Sequence, residues 1–361
     1  MDVRRSPAPA RAATATLIAF AAVLLVTLDG SAASGGRTLH KKTSGEIEAL
    51  AFDGSRVAYD VGAGSGAKPR CNTVYVWNLR RNVTTRVSGR QTCGADSTST
   101  GAGVRELALA GSRVAWIVNK GGNTESGDYL YVSTLAKPGE RLLASAFRTG
   151  DVDLILTGNW LGGLVGAQSF LGVDHWATDA HGAVRSARLQ SVGARLRDLA
   201  DGAATMTARS TDGRQVAVLR ADEAVSLYST RGKLLRTVTP SAPTEVAVRG
   251  DYLAVLTTAD TLEVYNSHSG RRLHTWHVAN GARSLDVSSG LAAYAAPRAG
   301  GGYARVVHVL RLSNGKDRVL ATTPPQLVAV RIEPAGLVYA VNRSGARGTG
   351  YLVFTPMSRL R

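Results

Sequence analysis

Residues 47–59 read IEALAFDGSRVAY, and residues 104–116 read VRELALAGSRVAW. Each sets alternating apolar residues (Leu50 and Phe52; Leu107 and Leu109) before a glycine, then enters a second apolar run. Alternation with period two describes a half-buried strand. Gly54 and Gly111 supply the tight turn of a hairpin. The pattern recurs with drift in TMTARSTDGRQVAVL from Thr205, TEVAVRGDYLAVL from Thr244, ARSLDVSSGLAAYA from Ala282 and QLVAVRIEPAGLVYA from Gln326. A second hairpin follows these copies, as in VYVWNLRRNVTTRV (74–87), YLYVSTLAKPGERLLA (129–144), VSLYSTRGKLLRTV (225–238), LEVYNSHSGRRLHTW (262–276) and VVHVLRLSNGKDRVLA (306–321). Asp151 to Gln190 is the poorest copy, although LILTGNWLGGLVG and HWATDAHGAVRSARL within it still fit.

Each unit is therefore four short antiparallel strands. Seven units over the chain from about residue 34 give about 47 residues apiece. Four-stranded units of that size are propeller blades. The expectation is an all-β fold, a single closed β-propeller of seven four-stranded blades, with six as the alternative count. A ring that fails to close exposes sheet edges. The carboxyl end, GYLVFTPMSRLR, supplies at most three strands of the last unit. GRTLH (36–40) resembles GRRLH (270–274), which lies in the outermost strand of its own unit. Residues 37–42 are thus predicted to complete the last blade.

The apolar strand, the Ser210-Thr211-Asp212-Gly213-Arg214 turn and the outer hairpin resemble the WD-repeat and TolB-like propellers of bacterial envelopes. The resemblance spans residues 37–361. It implies an interaction domain and brings neither a reaction nor catalytic positions with it.

The chain has 361 residues, with 43 Lys and Arg against 27 Asp and Glu, a net +16. Apolar residues at 44% and charged residues at 19% exclude a wholly disordered chain. Two cysteines exclude a disulfide-dense scaffold and a four-cysteine zinc site. Arg4, Arg5 and Arg11 precede an uncharged stretch, Ala13 to Leu28, and Ser31-Ala32-Ala33 follows. These are the three parts of a secretory signal peptide. Residues 1–33 are read as that signal and 34–361 as the propeller domain, secreted or held in the cell envelope. A retained anchor is the alternative. No later apolar run is long enough to span a membrane.

In a blade with strands A to D, the B–C and D–A loops share one rim and the A–B and C–D turns the other. Cys71 and Cys93 flank the third and fourth strands of the first unit at their free ends. In an oxidising compartment they are expected to form a disulfide, worth on the order of 3 kcal/mol in the chain-entropy model. The long loops share that rim and carry Lys68, Arg70, Arg90, Lys120, Arg298, Arg343 and Arg347. Long loops on a rigid scaffold carry function, and these seven residues are the candidate binding set. Asp96, Glu125 and Asp128 partly offset them, and the opposite turns are basic too.

Catalytic motifs such as G-x-S-x-G, H-E-x-x-H, C-x-x-C and the P-loop are missing from the sequence. No metal site and no cofactor is predicted. The seven histidines read as surface residues, and Asp151 and Asp153 as a loop start. Arg249-Gly250-Asp251 reads as a hairpin turn, and Asn82 and Asn342 open glycosylation tripeptides. Trp77, Trp116, Trp160, Trp176 and Trp276 read as inter-blade packing, one per hairpin. Nucleic acid is disfavoured, because no recognition helix or RNP-type aromatic pair accompanies the basic charge. The reading is a monomeric, exported, non-catalytic scaffold for a protein or an anionic envelope polymer. The alternative is a propeller hydrolase or lyase with its site at the channel mouth. Converging acids, histidines or arginines there favour the enzyme; Ala, Val, Leu and Gly favour the scaffold.

Overall fold

In the computed structural model, residues 36–62, 73–88, 102–121, 125–150, 156–179, 181, 184–202, 208–220, 222–299, 305–323, 326–343 and 348–361 are described. Twenty-eight strands occur among them, all paired antiparallel in meanders of four. Blade 1 covers residues 50–86, blade 2 102–150, blade 3 156–202, blade 4 208–238, blade 5 243–277, blade 6 283–323 and blade 7 326–356. Blades 2 and 3 are joined into one eight-stranded sheet, because strand Arg141–Gly150 runs on to pair with the start of strand Leu156–Ala167.

Blade 7 has three strands of its own, and its fourth is Leu39–Lys42. That strand lies antiparallel to Thr349–Pro356, with Leu39 opposite Phe354 and Lys42 opposite Tyr351. The amino-terminal segment thus completes the last blade, as the GRTLH likeness predicts.

The core is distributed around the ring. Among the described residues, seven apolar clusters each fill the space between two successive blades. One of them packs Phe52, Val57 and Trp77 of blade 1 against Val338, Leu352 and Phe354 of blade 7. Sheet faces pressed together on both sides explain why the inner strands are nearly uniformly apolar, as in Gln215–Leu219, which is buried throughout. Gly111 shows the cost of the tight joints. It sits at φ +61°, and a Cβ there would lie 2.7 Å from the Gln168 carbonyl oxygen of the next blade.

Polar side chains clip neighbouring blades together at the unpaired edges of the inner strands. An unpaired buried N–H is expensive. Asp53 accepts from the Gly111 N–H (2.5 Å), Asp128 from Leu161 (3.2 Å) and Asp212 from Gly250 (3.0 Å). The Asn342 amide exchanges two hydrogen bonds of 2.8 Å with the backbone of Ile47, across the join between blades 7 and 1. That Asn342 is the one that opens a glycosylation tripeptide; its amide is locked into the fold.

Asp60 plays a similar part within blade 1. It is fully buried, and its Oδ1 accepts the N–H groups of Glu48 (2.9 Å) and Ala49 (2.7 Å). Burial pushes its carboxyl up to about 7, against the pull of those hydrogen bonds. The unfolded chain releases this proton above about pH 4, while the folded chain holds it to about pH 7. Asp60 therefore erodes stability as pH rises through that window. Asp60→Asn keeps the acceptor oxygen and removes the titration. Denaturant titrations should show the variant gaining on the parent by about 3 kcal/mol between about pH 4 and pH 7. A pH-independent difference would contradict the assignment.

Candidate functional site

The inner strands of all seven blades ring a channel of about 550 Å³. Its walls are charged. Glu48, Arg105, Glu106 and Glu245 reach it, as do Arg249, Asp286, Arg331 and Glu333. Glu245, Asp286 and Glu333 converge where blades 5, 6 and 7 meet. Both oxygens of Glu245 are taken by the N–H groups of Ser284 (2.9 Å) and Leu285 (2.7 Å). Asp286 accepts from Val287 (2.9 Å) and Ile332 (2.8 Å). Arg249 donates to Glu333 in a buried ion pair. Burial raises the Glu333 carboxyl well above its usual range, with Arg249 opposing. Burial also raises Asp286, with Arg331 and Arg249 pulling the other way. Burial thus biases both carboxyls toward the protonated form, while the neighbouring arginines favour the charged one. Glu245 and Asp286, however, hold backbone N–H groups of the next blade, which is a structural task.

Strand Pro243–Arg249 ends at Arg249, whose side chain is 14% exposed and occupied by Glu333. The Arg249-Gly250-Asp251 tripeptide is therefore a turn, with Gly250 at φ +55°. Its arginine is not presented to solvent partners.

The basic rim divides into residues the structure describes and residues outside that set. Lys68, Arg70, Arg90 and Arg347 lie outside the described residues, as do Cys71, Cys93, Asp151 and Asp153. Lys120, Arg298 and Arg343 are described, exposed, and all at B–C loops. The Lys120 ammonium lies 5.0 Å from the centre of the Tyr129 ring, and the Arg343 guanidinium 4.8 Å from that of Tyr351. Phe147, 56% exposed, meets Tyr129 edge-on at 5.7 Å. No carboxylate among the described residues forms an ion pair with these three cations.

The same rim holds Arg148, which sequence reasoning did not single out, beside two tryptophans that it read as packing. Arg148 stacks 4.4 Å over Trp160, and Trp160 lies 5.3 Å from Trp176. These two tryptophans share one hairpin and stand directly opposite each other, so the reading of one tryptophan per hairpin is corrected. Trp77 and Trp116 are wholly buried in clusters between blades, and Trp276 donates to the Leu312 carbonyl oxygen of blade 6 at 3.1 Å. Those three match the packing role.

His308 also departs from expectation. It is 9% exposed rather than a surface residue. Its ring stacks on Tyr294 at 4.7 Å, and its Nδ1 lies 2.9 Å from Asp317, to which Tyr294 donates at 2.6 Å. Burial opposes ionisation of Asp317, but these two hydrogen bonds prevail and hold its carboxyl below the usual range. Tyr294 packs into the apolar cluster between blades 5 and 6, while Asp317 lies at the surface. Strand Arg305–Arg311 is covered on both faces, so a histidine in it needs a hydrogen-bond partner, which Asp317 supplies. Among the described residues no group of three or more His, Cys, Asp or Glu is placed to hold a metal ion, and no helix is long and apolar enough to cross a membrane.

No protein-family model matches the chain, and no curated sequence matches it either. The fold is that of the WD40 β-propellers. The WD40 propeller domain of Doa1 superposes with a TM-score of 0.52 at 14% identity, covering 90% of this chain and 98% of that one. A chain from the crystal structure of the mitotic checkpoint complex superposes with a TM-score of 0.53 at 15% identity, covering 89% and 94%. At that identity the likeness is one of fold.

Proposed function

We propose that the protein is an exported, non-catalytic propeller that acts as a binding scaffold in or beyond the bacterial envelope, akin to WD-repeat and TolB-like proteins. Its B–C/D–A rim meets an anionic polymer or a protein. The carrying observation is the set of exposed rim cations that have no carboxylate partner among the described residues, two of them seated on aromatic rings. A cation held over a ring keeps its charge and is pre-positioned for an anion. The signal-like pattern of residues 1–33 supports the compartment.

Replacing Lys120, Arg298 and Arg343 together with Ser should weaken binding to immobilised polygalacturonate or lipoteichoic acid by about tenfold or more. Stability should hardly move, since exposed charges contribute little. The matched control replaces Arg231, Lys233, Arg271 and Lys316 on the opposite turns. Equal losses from both sets would mean diffuse charge and no site. Absence of binding to either polymer leaves the protein partner, sought by capture from envelope extract.

A second reading, a hydrolase or lyase working in the channel, is favoured by the raised carboxyls of Asp286 and Glu333. It predicts a turnover that Asp286→Asn abolishes while rim binding persists. The scaffold reading predicts that this substitution alters stability alone.

A further inference from the structure

On the rim opposite the candidate binding loops, a second cavity of about 540 Å³ opens between blades 2 and 3. This is the size of a small-ligand or peptide-segment site. Its apolar floor includes Leu171 and Val192, both buried, together with Val132 and Pro138. Its polar wall carries Arg113, Lys137 and Arg141 against a single acid, Glu140. The cavity therefore has an excess of two positive charges.

The arrangement of the two arginines is unusual. Arg113 is half-buried at the start of strand Arg113–Gly121 and donates to the carbonyl oxygens of Val192 (3.0 Å) and Ser169 in blade 3. Arg141 reaches the carbonyl oxygens of Ala194 and Gly193, both at 3.4 Å. Neither guanidinium has a carboxylate partner among the described residues. Carbonyl dipoles orient a guanidinium but do not neutralise it. Burial lowers the Arg113 pKa, the mark of a cation that has lost water without gaining a counter-charge. Removing a cation from water is costly unless an anion replaces the water. An incoming carboxylate would supply that anion, and the fork of a guanidinium suits it.

We infer that this groove binds an acidic peptide segment, its carboxylates meeting Arg113, Lys137 and Arg141 while apolar side chains cover Leu171 and Val192. The proposal goes beyond the rim reading and does not depend on it. It gives the propeller a second partner site on the opposite face.

The test is fluorescence anisotropy on the purified protein with a rhodamine-labelled peptide of alternating glutamate and leucine. Saturable binding is expected. A peptide with glutamine in place of glutamate should bind at least tenfold more weakly. The double substitution Lys137→Glu with Arg141→Glu should also cost at least tenfold. Both side chains are exposed, so the melting temperature should hold. Arg113→Gln is the sharper variant, read only where its melting temperature matches the parent's. Lys120→Ser should leave peptide binding unchanged, which separates this site from the rim. Equal affinity for the glutamine peptide, an unaffected charge-reversed variant, or no binding by the parent would each overturn the proposal. Loss of polygalacturonate binding by the charge-reversed protein, with the peptide unaffected, would assign the groove to a polymer and overturn it too.

Discussion

Deleting residues 34–43 is expected to turn a discrete, soluble species into aggregates and to lower the melting temperature by about 10 °C. The deletion removes strand Leu39–Lys42 and leaves Thr349–Pro356 as an open edge. That edge presents a row of unpaired N–H and C=O groups, the template for pairing with another chain. More is lost than one ladder. Thr43 donates its N–H to the Gly350 carbonyl oxygen (2.9 Å) and accepts the Gly350 N–H on its hydroxyl (3.0 Å). Lys41 covers the Trp77 ring at 5.6 Å, so blade 1 also loses a contact. Size-exclusion chromatography and a thermal melt report both effects. A truncated protein that elutes and melts like the parent would show that the ring does not need this strand.

Arg249→Met is expected to destabilise the fold by about 3–5 kcal/mol, because it strands the buried Glu333 carboxyl without its partner. Glu333 is already raised well above the carboxylate range by burial, and loss of Arg249 removes the main opposing influence. The sign with pH follows. Unfolded Glu333 ionises above about pH 4.3, but burial already raises the carboxyl in the folded parent, so the carboxylate part of the loss grows only as pH passes the parent's raised value and shrinks below it. Adding Glu333→Gln to Arg249→Met should recover most of the loss, since a neutral amide is far cheaper to bury than a carboxylate. If the single and double variants unfold alike at neutral pH, the ion pair does not govern this part of the ring.

The blades were legible in the sequence because each is a local object. Alternation in LALA and VAW, a glycine where the chain reverses and a second hairpin all lie within about one unit. Closure was legible too, since GRTLH repeats an outer strand seen elsewhere. The channel was not. Arg249, Asp286 and Glu333 sit on three strands of three blades, and their meeting depends on ring curvature that no local pattern encodes. In each strand they simply occupy polar positions of an ordinary alternation. His308 misled for a related reason. A histidine among valines looks like the solvent face of a half-buried strand, but the third strand of a blade is sandwiched between its neighbours. Trp160 and Trp176 meet through hairpin register, disturbed by the irregularity between Leu161 and Leu164, which spacing alone did not reveal.

Binding at the proposed rim falls to cations that have no carboxylate partner among the described residues. The direct measurement is the affinity of the purified protein for polygalacturonate as a function of salt. Counterion release predicts that log K falls linearly with log salt, with a slope of about −3 or steeper for three or more engaged cations. The Lys120, Arg298 and Arg343 triple substitution should flatten that slope by about two to three. A slope near zero, or a slope the triple substitution leaves unchanged, would contradict the account.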